Sequence, residues 1–194
     1  MKLSIMTQVG LFILVLLVLW TLYGVYSSMS VNEAPYEVLE ILDNNVEIRT
    51  YPEEVWATTV AENQNDAFSS LFRYISGENE RGEKIEMTAP VVSMNTEKGH
   101  FMAFIMPERF DINSIPKPSS GKVKIQLVEP RKLATIRFSG YMTQGDYEKN
   151  LELLRKTLEV RGISTEGEPL LMQYNDPWTP PFSRRNEIAL QVNR

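Results

Sequence analysis

The sequence contains no cysteine and a single histidine, His100. A thiol nucleophile, a disulfide framework and a cysteine–histidine zinc site are therefore excluded. The chain also lacks a Gly-x-Ser-x-Gly elbow and the glycine-rich loops that cradle phosphates, which argues against acyl transfer and nucleotide-driven chemistry. Basic residues are also fewer than acidic ones: the chain has 20 Lys and Arg residues and 25 Asp and Glu residues, which gives a net charge of −5. Nucleic acid is thus not expected as a partner.

Charged side chains are absent from Leu3 to Asn32, and Val9–Val25 is almost continuously apolar over about the length that crosses a bilayer. This run predicts a single-pass membrane anchor in residues 1–31, with Trp20 at the headgroup level and Lys2 on the cytoplasmic side. A signal segment is the alternative interpretation. The orientation places the domain that follows outside the cytoplasm, in the periplasm or the exterior.

Beyond Pro35 the pattern changes to short alternating or apolar runs that are separated by turn residues, as is typical of strands and hairpins. The predicted strands are Tyr36–Leu42, Val46–Tyr51, Val55–Ala61, Val91–Met94, Phe101–Met106, Val123–Val128, Leu133–Phe138, Leu170–Tyr174 and Ile188–Val192.

Two segments have helical spacing instead. A first helix is predicted to begin at Asn65 or Asp66 and to end before Gly77, and a second to run from Gly145 or Asp146 to Arg161. The predicted apolar faces consist of Phe68, Leu71, Phe72 and Ile75 in the first helix, and of Tyr147, Leu151, Leu154 and Leu158 in the second.

The order strand, turn, strand, helix, strand occurs twice, once from Val46 and once from Val123, so the sequence contains an internal repeat. Pro107–Lys122, between the two copies, is predicted to be a surface connection. The fold class predicted is α+β: a distorted antiparallel β-barrel or curved sheet with two helices, built from two similar ββαβ halves. One N-terminal transmembrane helix would precede it.

Apolar side chains stand out at places where polar loops are expected, at Met87 and in the run Pro177–Phe182. This run and the arginines after it favour a stiff apolar lip that holds a flat hydrophobic ligand while guanidinium groups bind its carboxylates. A C-terminal crossover that merely covers the end of the barrel is the alternative. His100 follows Gly99 at a predicted hairpin turn and is interpreted as a turn histidine, the alternative being an axial ligand to haem iron or another metal.

The stretch Lys84–Val91 (KIEMTAPV) resembles the signature of the SOUL haem-binding protein family. The Arg-x-Tyr-Pro step at Arg49–Pro52 and the closing segment Tyr174–Pro181 are similar to the same family. The similarity runs from about Tyr36 to Val192 and predicts a SOUL-like domain over residues 36–194. It implies a distorted β-barrel with two helices and a tetrapyrrole ligand.

The function expected from these observations is non-catalytic binding of haem or a related tetrapyrrole, in an apolar groove at a membrane surface, by a carrier, buffer or sensor. The expected ligand-binding residues are Phe72, Arg73, Lys84, Met87, Trp178, Phe182 and Arg184, with His100 as the one histidine available for an axial bond. Two alternatives remain. One is a small-molecule hydrolase that uses Glu86, Tyr174 and Trp56, and the other is a protein-interaction module.

Overall fold

The computed structural model describes residues 4–30 and 32–193. Its helices are α1 (Ile5–Ser30), α2 (Gln64–Ile75) and α3 (Gln144–Val160), with single 3₁₀ turns at Asp43–Asn45 and Pro181–Ser183. Its strands are β1 (Asn32–Glu33), β2 (Glu37–Ile41), β3 (Glu47–Tyr51), β4 (Glu54–Ala61), β5 (Thr88–Ala89), β6 (Val91–Thr96), β7 (Gly99–Ile105), β8 (Lys124–Val128), β9 (Arg131–Phe138), β10 (Thr165–Gln173) and β11 (Asn186–Val192).

Nine strands form one curved antiparallel sheet in the order β2-β3-β9-β11-β10-β6-β7-β4-β8, while β1 and β5 pair separately in parallel. The alternation of apolar residues thus predicts these strands correctly. The sheet does not close into a barrel, because β2 and β8 remain at its two edges. The curved-sheet form of the prediction is confirmed, and the closed-barrel form is not.

The strand order reproduces the repeat found in the sequence. In the first half β4 pairs with β7, in the second half β9 pairs with β11, and the central pair β6–β10 joins the halves. The first strand of each half pairs with a strand of the other half: β3 pairs with β9, and β8 pairs with β4. An approximate two-fold axis therefore passes between β6 and β10.

Each half buries the apolar face of one helix on the outside of the sheet. Helix α2 packs on β4 and β7, and α3 packs on β9 and β11. The buried residues of α2 are Ala67, Ser70, Leu71, Tyr74 and Ile75. Of the predicted apolar face, Leu71 and Ile75 are therefore buried, whereas Phe68 and Phe72 are exposed. In α3, Leu154 and Leu158 are buried as predicted.

Both helices begin slightly before the predicted residues, because an earlier side chain satisfies the free N–H groups of the first turn. Asn63 caps α2 by accepting a hydrogen bond from the backbone N–H of Asp66 (3.0 Å). Thr143 caps α3 in the same way through Asp146 (3.1 Å). The segment between the halves is a surface connection, as predicted, and its Pro116 carbonyl accepts a bond from the Tyr74 hydroxyl (2.8 Å).

The predicted location of the protein in a membrane is contradicted by the structure. Within the part of the chain that the structure describes, no helix meets the combined length and hydropathy needed to cross a membrane. This finding contradicts the predicted single-pass location with an extracytoplasmic domain, and the transmembrane part of the fold prediction is unsupported. Trp20, expected among lipid headgroups, instead donates its indole N–H to the Trp178 carbonyl (2.9 Å), and Gly24 is buried against Pro180.

Candidate functional site

The two central strands, β6 and β10, form a strip of sheet between helices α2 and α3. Since paired residues of antiparallel strands point to the same face, the side chains on the α2 side of this strip follow from the register of β7, β6 and β10. Phe104 pairs with Val91, and Val91 pairs with Gln173. Ser93 and Leu171 form the next pair on the same face. Ser93 and Phe104 are buried, whereas Val91, Leu171 and Gln173 are half-buried, so the strip is a shallow floor between α2 and α3.

Helix α2 presents two aromatic rings beside this floor. Phe68 and Phe72 lie one turn apart and stack, with ring centroids 5.8 Å apart and an interplanar angle of 13°. Phe68 also meets the ring of Phe104 edge-on at 5.5 Å, which fixes the pair on the sheet. Phe72 is 49% exposed, an unusual arrangement for an aromatic ring on a helix face adjacent to a core.

The connection between β10 and β11, residues 174–185, forms the predicted apolar lip. Trp178 is 75% exposed and Phe182 is 65% exposed. The backbone beneath them is tightly held, because Asp176 Oδ1 accepts bonds from the N–H groups of Trp178 (2.7 Å) and Thr179 (3.0 Å). The lip is therefore a loop with a fixed backbone and two exposed aromatic side chains.

Arg184 supports the lip from within. Its Nε donates to the Thr179 carbonyl (2.8 Å) and its Nη2 to the Pro177 carbonyl (2.5 Å). Its guanidinium also lies 4.8 Å from the ring centroid of Tyr141, itself exposed. The structure thus gives Arg184 a local role in holding the loop, whereas the sequence suggested only a contact with a ligand carboxylate.

A buried ionic cluster anchors the base of the lip. Glu187, fully buried in β11, bonds Arg49 through both carboxylate oxygens (2.7 and 3.1 Å) and Arg185 through Oε1 (2.8 Å). Burial alone would raise the pKa of Glu187, but the two guanidinium groups outweigh it and hold that pKa below its usual range. Tyr174 donates its hydroxyl to Glu187 (3.0 Å), and burial raises the pKa of Tyr174.

The aromatic pair of α2 packs on β7, and the lip begins at the end of β10, two strands away across β6. Phe104, which touches Phe68, and Gln173, which precedes the lip, are separated by two strand spacings, or about 10 Å. Met87 immediately precedes β5, is 40% exposed and lies four residues before Val91.

Two cations predicted from the sequence are exposed. Arg73, next to Phe72 on α2, forms a solvent-exposed ion pair with Glu78 (3.2 Å). Lys84 is exposed in the segment after α2. Both therefore remain available to anions in solution, because exposed ion pairs exchange readily with other partners.

His100 lies at the opposite end of β7. It is paired in register with Ala61 and Asn95, and its Nδ1 is hydrogen-bonded to Asn95 Oδ1 (2.9 Å). Four residues of extended strand, roughly 14 Å, separate it from Phe104. Its Nε2 is buried and has no hydrogen-bond partner in the described part of the chain, and burial lowers the pKa of His100 from its ordinary value near 6.5. The structure does not bring His100 to the lip.

A polar groove of about 870 Å³ lies between α2 and the edge of the sheet at β4 and β8. Its lining includes Arg73, Lys122 and Lys124, together with serine and threonine hydroxyls. Such a surface does not match the apolar face of a tetrapyrrole, because desolvating its polar groups would be costly. The exposed aromatic surface is the better candidate.

The residues considered for hydrolysis do not converge. Trp56 and Tyr174 are buried in the core on the inner face of the sheet. Glu86 is exposed and pairs with Arg109, and its own backbone N–H together with that guanidinium lowers the pKa of the carboxyl. A carboxylate with a depressed pKa is a poor general base. No group of His, Asp or Glu side chains in the described ranges, 4–30 and 32–193, is placed to hold a metal ion.

A curved sheet made of two similar halves thus carries exposed aromatic side chains beside a fixed loop, a surface of the kind that binds apolar ligands. The model of the SOUL heme-binding protein family matches residues 31–191, and the chain belongs to that family. Mouse (Mus musculus) Heme-binding protein 1 is 31% identical over 144 residues, which cover 71% of this chain and 75% of the mouse protein. The pig (Sus scrofa) protein of the same name is 30% identical over 139 residues, 68% of this chain and 72% of its own. The family model and both relatives are named for haem binding, in agreement with the ligand expected from the sequence.

Solved structures share the fold. The C-terminal domain of EcmrR covers 82% of this chain and 98% of its own, with a TM-score of 0.56 and 12% identity. A hydrolase from Listeria innocua covers 85% of this chain and 95% of its own, with a TM-score of 0.53 and 10% identity. At these identities the likeness concerns the fold and not the chemistry.

Proposed function

We propose that this protein binds haem or a related tetrapyrrole without catalysing a reaction, as a carrier, buffer or sensor, and that residues 36–194 form the binding unit. The ligand would lie on the strip of β6 and β10, between the aromatic pair of α2 and the lip. The observation that carries this proposal is the exposure of Trp178 and Phe182 on a loop whose backbone is fixed by Asp176 and Arg184.

The physical argument is desolvation of two apolar surfaces. Exposed rings on a rigid loop lose little conformational freedom when they are covered, so most of the hydrophobic gain is kept as affinity. Phe72 and Met87 extend the same apolar character toward α2. A flat macrocycle fits between two such walls better than a compact polar ligand does.

Charge at the edge of the surface suits the propionates of haem. Lys84 and Arg73 are exposed and can form charge-assisted hydrogen bonds with carboxylates. We assign Arg184 mainly to positioning the lip, because two of its nitrogen atoms already donate to lip carbonyls. Iron ligation is secondary in this proposal, since His100 lies at the far end of β7.

The test is a haemin titration of the protein, followed by the Soret band. The double variant Trp178→Ala and Phe182→Ala should lower haemin affinity by more than about tenfold, a loss above ~1.4 kcal/mol. His100→Ala should leave the affinity within a few fold.

Ile41→Ala with Val160→Ala is the matched control, because it removes two exposed apolar side chains outside the strip and the lip. That variant should bind haemin normally. Loss of the Soret shift in His100→Ala, with normal binding by the lip variant, would contradict the proposal and move the site to the β6–β7 turn.

A further inference from the structure

One turn of α1, residues 20–24, packs against the lip. Trp20 and Gly24 are four residues apart, so they share a face of the helix, and both meet the lip. Gly24 is buried, and Thr21, on the same side, is half-buried. Earlier in the helix, Phe12 and Leu16 are exposed. The contact of α1 with the lip is therefore a local one.

The absence of a side chain at Gly24 makes this contact possible. A Cβ atom at that position would lie 2.5 Å from Cδ and 3.0 Å from Cγ of Pro180. Pro180 is buried, and its ring is closed on its own backbone, so it cannot turn aside as a flexible side chain could. The other glycine of α1 is Gly10, where a Cβ atom would meet nothing within 4 Å. Of the two, only Gly24 lets another segment approach the helix closely.

The hydrogen bond from Trp20 restrains Trp178, the more exposed of the two exposed aromatic residues of the lip. Asp176 Oδ1 accepts from the backbone N–H of Trp178 (2.7 Å), and the Trp20 indole N–H donates to its carbonyl (2.9 Å). The peptide groups on both sides of Trp178 are thus held, one from within the lip and one from α1. A fixed backbone leaves its indole less freedom to lose when a ligand covers it.

The contact with Pro180 restrains the second exposed ring of the lip. Pro180 directly precedes the 3₁₀ turn that carries Phe182, and its carbonyl accepts from the Ser183 N–H (2.9 Å). A displacement of Pro180 would therefore move the turn beneath Phe182. Helix α1 thus contacts the lip at Trp178 itself and two residues before Phe182.

We propose that α1 positions the lip for its ligand, with Trp20 and Gly24 as positioning residues of the haem site. This inference rests on the proposed function, because it requires that the lip bind the tetrapyrrole. Docking of α1 holds Trp178 and Phe182 in place, so a helix that cannot dock leaves a looser lip and a lower affinity. The coupling is reciprocal, since a ligand on the lip stabilises the docked helix by the same factor.

The test compares Gly24→Ala with Gly10→Ala in the full-length chain. Both variants replace a glycine of α1 by the best helix former, but only Gly24→Ala places a Cβ atom against Pro180. In a Soret titration, Gly24→Ala should weaken haemin binding by more than about fivefold, and Gly10→Ala by less than about twofold. Trp20→Phe keeps an aromatic ring but removes the indole N–H, so it should weaken binding by about fivefold.

Fluorine NMR of the ligand-free protein detects docking independently of haem. The chain contains three tryptophans, Trp20, Trp56 and Trp178, so labelling with fluorotryptophan gives three resonances, each assigned by its Phe variant. In Gly24→Ala the resonances of Trp20 and Trp178 should shift. The resonance of Trp56, which is buried on the inner face of the sheet, should stay in place and report that the fold is intact. Gly10→Ala should shift none of the three.

The outcomes separate this inference from the proposed function. An unmoved Trp178 resonance in Gly24→Ala would show that α1 does not dock on the lip and would overturn the inference. A shifted resonance with unchanged haemin affinity would overturn it as well, while the proposed function stands if Trp178→Ala with Phe182→Ala loses binding. If that lip variant binds haemin normally, the proposed function is wrong, and the positioning role falls with it even where the resonances show docking.

Discussion

The two halves of the sheet share an architecture but differ at the surfaces where a ligand could bind. In the first half β6 and β7 are joined by a two-residue turn at Glu97 and Lys98, whereas in the second half β10 and β11 are joined by the lip. Helix α2 exposes two stacked phenylalanines, while α3 exposes charged side chains over most of its length. The repeat thus builds the fold, and departures from the repeat create the candidate site.

The largest loss of stability is expected at the buried ionic cluster around Glu187, in the second half. Glu187→Gln leaves Arg49 and Arg185 without their buried carboxylate, so the free energy of unfolding should fall by roughly 3–5 kcal/mol. Glu97→Gln, in the short turn of the first half, should change it by less than about 0.5 kcal/mol. Urea unfolding measures both, and equal effects would mean that the cluster does not support the lip.

The same variant gives a pH dependence with a defined sign. The pKa of Glu187 is lower in the folded state, so its stabilisation is present above the unfolded pKa of about 4.3 and is lost as pH falls through the folded value. The stability difference between the wild type and Glu187→Gln should therefore shrink below about pH 4. A constant difference down to pH 2 would contradict this assignment.

Matched core substitutions compare the two helices. Leu71 of α2 and Leu154 of α3 are both fully buried, so replacing either by Ala should cost about 2–5 kcal/mol of stability. Haemin affinity should fall more in Leu71→Ala than in Leu154→Ala, because only α2 carries Phe68 and Phe72. Thermal unfolding and Soret titrations test both statements, and a larger loss of affinity in Leu154→Ala would place the ligand on the other half.

The smallest expected effect concerns the helix caps. Asn63→Ala and Thr143→Ala each remove one side-chain acceptor from the first turn of a helix, so each should cost about 1 kcal/mol. The two losses should be alike, since the caps occupy equivalent places in the repeat. Denaturant midpoints measure them, and a difference of several kcal/mol would show that the halves are not equivalent in stability.

The sequence predicted the strands and the repeat because alternation records which face of each strand is buried. It placed Phe68 and Phe72 on one apolar face with Leu71 and Ile75, because apolar residues at helical spacing look the same whether they pack on a sheet or remain exposed. Ala67 and Tyr74, which do face the sheet, carry a weaker signal. Hydropathy does not distinguish the two faces here.

Contacts between residues far apart in the chain could not be predicted from the sequence. Arg49 and Glu187 are 138 positions apart, and charged residues are normally expected at the surface. The same holds for the bond from Trp20 to Trp178, which places the end of α1 against the lip. The SOUL-like motifs pointed to the correct family, but the roles of Arg184 and Asp176 in fixing the lip became visible only in the structure.

The most direct test of the account is a comparison of haemin with iron-free protoporphyrin IX on the wild-type protein. Binding through the lip and α2 uses the apolar face and the propionates, so the two dissociation constants should agree within a few fold. The quenching of tryptophan fluorescence can follow both ligands under the same conditions. If protoporphyrin fails to bind while haemin binds tightly, an axial bond carries the affinity, and the aromatic surface is not the site.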